Sequence, residues 1–174
     1  METIFFWDAN VIITLNENFP ATVIPKIHEL AESLLNQGRL KVCEHVFREM
    51  KGGAAKDWID NHKEKCFEPV TAETMNVIRE VAAIPNFVDA TKTESVDADH
   101  FLVATALAHQ KSMGQNLFLP VAMVVTMEKR KKPEKQRLKV PDACDKLGVK
   151  CVDLYGWLSE CGYKLDIVPK EINP

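Results

Sequence analysis

IFFWDANV, residues 4–11, is the stretch of this sequence that decides the fold. Its four leading apolar residues do not alternate with polar ones, which is typical of a strand covered by helices on both faces. Asp8 ends the apolar run, so its carboxylate is expected at the carboxyl end of a buried strand. Asp8 and Asn10 also suit a turn or an N-cap for a helix beginning near Val11. The motif alone does not decide between these two interpretations.

The rest of the chain alternates between helical and strand-like segments. Helices are predicted where apolar residues recur at helical spacing, namely between Pro25 and Gly38, around 46–50, at 54–65, between Thr71 and Pro85, and at 97–111, 141–147 and 154–161. Strands are predicted at 40–43, 121–125 and 149–152, and 67–70 is either a strand or a connector. This order predicts an α/β fold, a three-layer α/β/α sandwich with a central, mostly parallel sheet.

A single domain is expected over residues 1–162, followed by an irregular tail at 163–174. Hydrophobic residues make up 46% of the chain and charged residues 27%, an ordinary balance for a globular domain. No apolar run reaches the roughly 18 residues of a membrane span, and the apolar stretch at 4–7 is too short for a signal peptide, so we expect a cytoplasmic protein. The five cysteines form no C-x-x-C pair, which favours buried thiols over disulfides or a zinc site.

Three further acids stand at positions that suit a crevice. Glu49 lies near the end of an otherwise apolar helix face, Asp99 opens a helix, and Glu128 follows the strand at 121–125. Each also has a simpler explanation. Glu49 suits a solvated helix acid, Asp99 a first-turn acid stabilised by the helix dipole, and Glu128 a loop acid beside lysines. Asp97, turned about 200° from Asp99 on a helix, is better placed as the N-cap.

Basic residues are concentrated in one segment although the net charge is only −3. Residues 129–139, called the basic segment below, hold seven Lys and Arg side chains opposed by Glu134 alone. The segment begins directly after Glu128, so it either holds the phosphates of a nucleic-acid strand at the crevice or is a solvated loop. The predicted RNA-binding side chains are Lys129, Arg130, Lys131, Lys132, Lys135 and Arg137.

Four segments, taken in order, carry a family resemblance: FFWDANV at 5–11, VFREM at 46–50, DHFLVATA at 99–106 and VVTME at 124–128. They resemble the acidic motifs of PIN-domain nucleases, and PDACDKLGVKC at 141–151 is similar to a PIN-like family whose members are mostly of unknown function. The resemblance covers most of the chain. It implies a Mg²⁺- or Mn²⁺-dependent endoribonuclease, the toxin of a toxin–antitoxin pair, with RNA as substrate and an antitoxin protein as partner; a homodimer stays open.

The resemblance also implies roles for six residues, carried over by position. The catalytic, metal-binding acids are Asp8, Glu49, Asp99 and Glu128, and the polar supports are Asn10 and Thr126. Glu128 stands where many PIN domains carry an aspartate. Whether it binds the metal directly or through water is therefore open.

Hydrolysis of a phosphodiester suits an acidic crevice of this kind. The reaction needs a nucleophilic water and compensation for charge on the phosphoryl oxygens, and a divalent cation supplies both. Mg²⁺ and Mn²⁺ prefer oxygen ligands, and converging carboxylates repel one another unless a cation neutralises them. Apart from His100, no His or Lys in the four motifs is a candidate general base, so a water activated by the cation is the expected nucleophile. One cation or two are equally compatible with the sequence.

Two other functions fit parts of the pattern. A PIN-like domain that has lost catalysis would serve as a scaffold or RNA-binding module, which the unusual acid at Glu128 favours and the other three acids oppose. A haloacid-dehalogenase-like phosphatase would use Asp8 as its nucleophile. That class usually has a second aspartate where this chain has Asn10, and no later G-D motif is present.

Overall fold

A parallel sheet forms the centre of the molecule. The structure is a computed structural model that describes residues 3–87, 98–113, 121–130 and 137–164. Within these residues five parallel strands pair in the order β3-β2-β1-β4-β5. They are β1 Ile4–Trp7, β2 Leu40–Cys43, β3 Phe67–Glu68, β4 Ala122–Val125 and β5 Lys150–Val152. The predicted strands are confirmed, and the segment after residue 66 is a strand rather than a connector.

Helices cover both faces of this sheet, so the predicted three-layer α/β/α sandwich is confirmed. The described helices are α1 Ala9–Ile13, α2 Pro25–Asn36, α3 Glu44–Glu49, α4 Ala54–Cys66, α5 Ala72–Ala82, α6 Ala98–Met113, α7 Val140–Leu147 and α8 Leu154–Glu160. A π-helical turn, Thr14–Asn18, continues α1, and no feature of the sequence predicts it. The predicted helix ends hold to within a few residues.

The first strand is buried on both faces, as its unbroken apolar run predicts. Phe5, Phe6 and Trp7 are 1%, 0% and 0% exposed. Trp7 packs edge-on against Trp157 of α8, with ring centroids 5.0 Å apart, whereas the neighbouring Phe6 meets His109 of α6 on the other face. Successive side chains of a strand point to opposite faces, so each face of β1 contacts a different helical layer.

Strand order determines where a ligand would bind. The chain runs outward in one direction from β1 through β2 to β3 and in the other direction through β4 to β5, so β1 and β4 flank the switch point of the sheet. In open parallel sheets the binding crevice lies at the carboxyl ends of the strands that flank this point. Trp7 is in register with Val125, so Asp8 and Thr126 leave the sheet side by side.

Several predicted features can be placed and others lie outside the described residues. Four cysteines are buried and Cys161 is half-buried, all as free thiols, as predicted. In the described part of the chain, no helix has the length and apolar character required to cross a membrane. The residues outside are the predicted N-cap Asp97, the predicted RNA-binding Lys131, Lys132 and Lys135, and tail residues 165–174.

Candidate active site at the carboxyl edge of the sheet

Asp8 occupies the N-cap position of α1 but does not use its side chain as a cap. Its backbone is extended, with φ −79° and ψ 155°, and the side chain makes no cap hydrogen bond. Instead, Oδ2 accepts hydrogen bonds of 2.7 Å from the Asn10 amide and 2.7 Å from the Thr126 hydroxyl. The residue is only 5% exposed. The carboxylate is therefore held at the crevice and does not cap the helix.

Asn10 and Thr126 join the ends of β1 and β4 through a closed set of hydrogen bonds. Thr126 is 1% exposed, and its hydroxyl donates to Asp8 and accepts from the Asn10 amide at 3.1 Å and from the Glu128 backbone N–H at 3.1 Å. A hydroxyl has one proton and two acceptor sites, so all of its hydrogen-bonding capacity is used. The Asn10 amide oxygen accepts from the Met127 N–H at 2.8 Å. Both residues predicted as polar supports orient Asp8.

Asp99 lies in the first turn of α6, with its side chain 22% exposed. Burial and, after it, the negative charges of Asp8, Glu128 and Glu49 raise the pKa of Asp99 from 3.8 to about 7, although Lys139 lowers it. The Asp8 pKa is raised to about 6, chiefly by burial, partly offset by the Thr126 hydrogen bond and increased again by Glu128 and Glu49. The four predicted acids therefore lie within electrostatic reach of one another.

Glu128 has both carboxylate oxygens engaged. Oε1 pairs with the Lys139 ammonium, and Oε2 accepts from the Val140 N–H at 3.0 Å. This amide is one of the unpaired donors at the start of α7, so Glu128 serves as that helix's cap from 12 residues upstream. Of the two roles that the sequence left open, the contacts favour a water-mediated one over direct metal binding.

Glu49 is the last residue of α3 and its side chain is exposed. Its charge contributes to raising the pKa of Asp8 and of Asp99, so it lies at the rim of the same crevice. A carboxylate at the rim keeps most of its hydration. Its position fits an acid that becomes a ligand only once a cation has entered.

Three cationic side chains in the described part of the basic segment form ion pairs. Arg130 forms a two-pronged pair with Asp145 of α7, with distances of 2.7 and 2.9 Å. The Arg137 guanidinium lies 3.9 Å from the Asp99 carboxylate. Lys129 is exposed. Lys139 pairs with Glu128, although it was not among the predicted RNA-binding side chains. Its position at the end of the basic segment, just before a predicted helix, was the sequence feature that could have identified it as a site residue.

The donor set fits a hard divalent cation, although it is not a preformed shell. Among residues 3–87, 98–113, 121–130 and 137–164, no three His, Cys, Asp or Glu side chains are already gathered as ligands. The oxygen donors Asp8 and Asp99 nevertheless have raised pKa values because they are buried and lie among other negative charges. A bound cation would compensate that repulsion, which is the condition under which both carboxylates ionise at neutral pH.

The fold and these residues define an α/β protein with an acidic crevice at the switch point of a parallel sheet. The chain belongs to the family described as "Domain of unknown function (DUF4411)", which matches residues 5–165. No curated protein and no solved structure matches the chain. Family membership accordingly supports one domain along nearly the whole chain and assigns no activity to it.

Proposed function

We propose that this protein is a Mg²⁺- or Mn²⁺-dependent endoribonuclease of the PIN type. The observation that carries the proposal is that Asp8, which is buried, and Asp99, whose side chain is 22% exposed, come from different elements at the switch point of the sheet, where the negative charge of Asp8 raises the pKa of Asp99. Like charges are retained in a buried site where a cation or a reaction uses them. The ordered acidic motifs of the sequence support the same assignment.

Each residue has a defined task in this proposal. Asp8 and Asp99 would hold the cation, with Glu49 joining from the rim. The cation, when bound, activates water and neutralises charge on the phosphoryl oxygens. Thr126 and Asn10 fix the Asp8 carboxylate in one orientation through the 2.7 Å hydrogen bonds to Oδ2. Glu128, held by α7, would orient water at the opposite side of the crevice.

RNA is the proposed substrate because the reaction requires a phosphodiester and because cations accompany the acids at the crevice. Lys129 is exposed next to Glu128, and Arg137 lies beside Asp99. We further propose that the ribonuclease is the cytoplasmic toxin of a toxin–antitoxin pair, inhibited by an antitoxin that covers the crevice. Co-expression with the product of a small adjacent gene, followed by affinity purification, tests for such a partner.

Cleavage assays with Asp8→Asn test the catalytic proposal. We expect the wild-type protein to cleave RNA in Mg²⁺ or Mn²⁺ but not in EDTA, and the variant to be inactive in both. Asp153→Asn is a matched control because Asp153 also directly follows a strand, β5, but its side chain caps α8 by accepting from the Gly156 N–H at 2.8 Å. Asparagine is an equally good cap, so this variant is expected to keep full activity. Wild-type cleavage in EDTA would contradict the mechanism.

A scaffold or RNA-binding module without catalysis is the second candidate function. It is favoured by the engagement of both Glu128 oxygens, which leaves the fourth acid without a free ligand atom. Isothermal titration with Mn²⁺ separates the two functions. A protein that binds RNA with the same affinity in Mn²⁺ and in EDTA, and that takes up no Mn²⁺, would be a scaffold.

A further inference from the structure

Lys139 pairs with one acid of the candidate site and interacts electrostatically with a second. It is the last residue before α7, its side chain is 34% exposed, and its ammonium pairs with Glu128. Its positive charge also lowers the pKa of Asp99. A single lysine therefore acts on carboxylates from two different elements, after β4 and at the start of α6.

The ammonium is not needed to cap α7. The Val140 N–H donates to Glu128 at 3.0 Å, and the Lys139 N–H donates to the Asp142 carboxylate at 3.0 Å. Both amides at the start of the helix are thus satisfied by carboxylates and not by the lysine side chain. The ammonium can change partners while the start of α7 stays intact.

A phosphodiester approaching this crevice meets several negative charges and requires a cation beside them. Lysine is a compact point charge on a flexible stem and binds phosphate without a fixed geometry. Arg130 is less suited because its guanidinium already makes two hydrogen bonds to Asp145. Lys139 makes a single ion pair in the described structure, with a carboxylate that is 16% exposed.

We propose that Lys139 binds a non-bridging oxygen of the RNA phosphate at the reaction centre, exchanging Glu128 for the substrate. The inference rests on the proposed ribonuclease function. It assigns to Lys139 the interaction that makes an acidic crevice accept a polyanion. The same exchange releases Oε1 of Glu128 to bind water.

Steady-state cleavage of a fluorescent oligoribonucleotide by Lys139→Met and Lys139→Arg tests this proposal. We expect the Met variant to raise KM about tenfold, the size of one charged hydrogen bond, with a much smaller change in kcat. The Arg variant keeps the charge and should recover most of the loss. Lys150→Met is the matched control, because Lys150 pairs with Glu160 at the opposite edge of the sheet. It should behave as the wild type.

The salt dependence of RNA binding is a second measurement. It would not change in the Lys139 variants if the lysine had a purely structural role. In Ca²⁺ or EDTA, Lys139→Met should bind the oligoribonucleotide with a log–log salt slope about 0.7 smaller than that of the wild type, because the variant neutralises one phosphate fewer. Lys139→Gln, which keeps a polar head group for Glu128, replaces the Met variant if the latter melts at a much lower temperature.

The outcomes separate this inference from the proposed function. Metal-dependent cleavage by the wild type, together with unchanged KM and salt slope in the Met variant, overturns the role of Lys139 alone. A fall in kcat at unchanged KM also overturns it, since Lys139 would then act through Glu128. Absence of cleavage by the wild type in any divalent metal overturns the ribonuclease proposal and this inference with it.

Discussion

The Thr126 hydroxyl donates a 2.7 Å hydrogen bond to Asp8 Oδ2 across 118 positions of sequence. Because Asp8 is 5% exposed, water cannot replace that donor. In Thr126→Val we expect unfolding to become easier by about 1–3 kcal/mol, the cost of leaving a buried polar group unsatisfied. The pKa of Asp8 should rise further, so cleavage should require a higher pH. Chemical denaturation and a pH–rate profile measure the two effects.

Thr105→Val is the matched control for this variant. Thr105 is 4% exposed on α6, and its hydroxyl has no hydrogen-bond partner within the residues that the structure describes. Removing an unpartnered hydroxyl is expected to be neutral or stabilising. Equal losses of stability in the two variants would show that the hydrogen bond to Asp8 contributes nothing specific. Thr126→Ser should restore both stability and the pH–rate profile.

Glu128→Gln distinguishes direct from water-mediated metal binding. The amide oxygen can still accept from the Val140 N–H, but the ion pair with Lys139 is removed. We expect stability to fall by about 1 kcal/mol or less and Mn²⁺ affinity to change little. Asp8→Asn should lose Mn²⁺ binding in the same titration. A loss of affinity in Glu128→Gln as large as that in Asp8→Asn would make Glu128 a direct ligand.

The pKa of Asp99 predicts how stability depends on pH without metal. Its folded pKa of about 7 lies above its ordinary value of 3.8, so the folded protein binds more protons than the unfolded chain between those values. The free energy of unfolding therefore falls as the pH rises through that window. From about pH 5 to pH 8, Asp99 should contribute a loss on the order of 2 kcal/mol that Asp99→Asn lacks.

Thermal melts in EDTA across this pH range test the prediction by difference. The comparison is between variants because burial lowers the pKa of His100 and of His109, and neutral histidines make stability change with pH in the opposite direction. Asp145→Asn is the control. Because Arg130 lowers the pKa of Asp145, this carboxyl stays ionised throughout the tested pH range, and the variant should keep the wild-type pH dependence. The same pH dependence in Asp99→Asn as in the wild type would refute the assignment. Mn²⁺ should raise the wild-type Tm more at pH above 7 than below.

Neutralising Lys129, Lys131 and Lys132 tests the basic segment as a phosphate track. Arg130 is left unchanged because it holds Asp145 of α7. We expect weaker RNA binding and little change in turnover at saturating RNA. The salt slope should be smaller by about 0.7 for each phosphate that the variant no longer neutralises. Fluorescence anisotropy measured over a range of salt concentrations gives the slope.

The control for the basic segment replaces three lysines near the amino ends of the strands. Lys65 lies at the end of α4 just before β3, Lys111 lies in the last turn of α6, and Lys150 begins β5. The triple variant removes the same charge from the opposite edge of the sheet. Equal effects of the two triple variants on the salt slope would mean that RNA responds to net charge and not to this segment.

The fold could be predicted because its signals are local. The unbroken apolar run at 4–7 requires cover on both faces, and the observed burial of Phe6 and Trp7 satisfies that requirement. The sequence predicts Thr71 as the N-cap of a helix, and in the structure its hydroxyl accepts a hydrogen bond from the Thr74 N–H at 3.2 Å. Strands and helices alternate along the chain, and a parallel sheet covered by helices is the arrangement that buries the apolar residues of all of them.

The site could be predicted only in part, because the partners of its side chains come from distant elements. The position of Asp8 followed from the end of a strand, but its bond to Thr126 depends on which strands are neighbours. The use of Glu128 as a cap for α7 depends on the start of that helix lying beside the residues that follow β4. No local pattern encodes that arrangement, and the signal that the sequence offered for Lys139 was its position at the end of the basic segment, just before a predicted helix.

Pairing of β1 with β4 has a consequence for the order of events during folding. The two strands pair in parallel register, and Asp8 and Thr126, which directly follow them, are 118 positions apart in the sequence. Pairings of such long sequence separation form late, after the local helices and the neighbouring β1–β2 pair. A nascent chain that has not yet reached residue 122 holds Asp8 without the hydroxyl that orients it. The crevice thus matures only after residue 126 has been synthesised and β4 has paired with β1, and partly folded chains lack it.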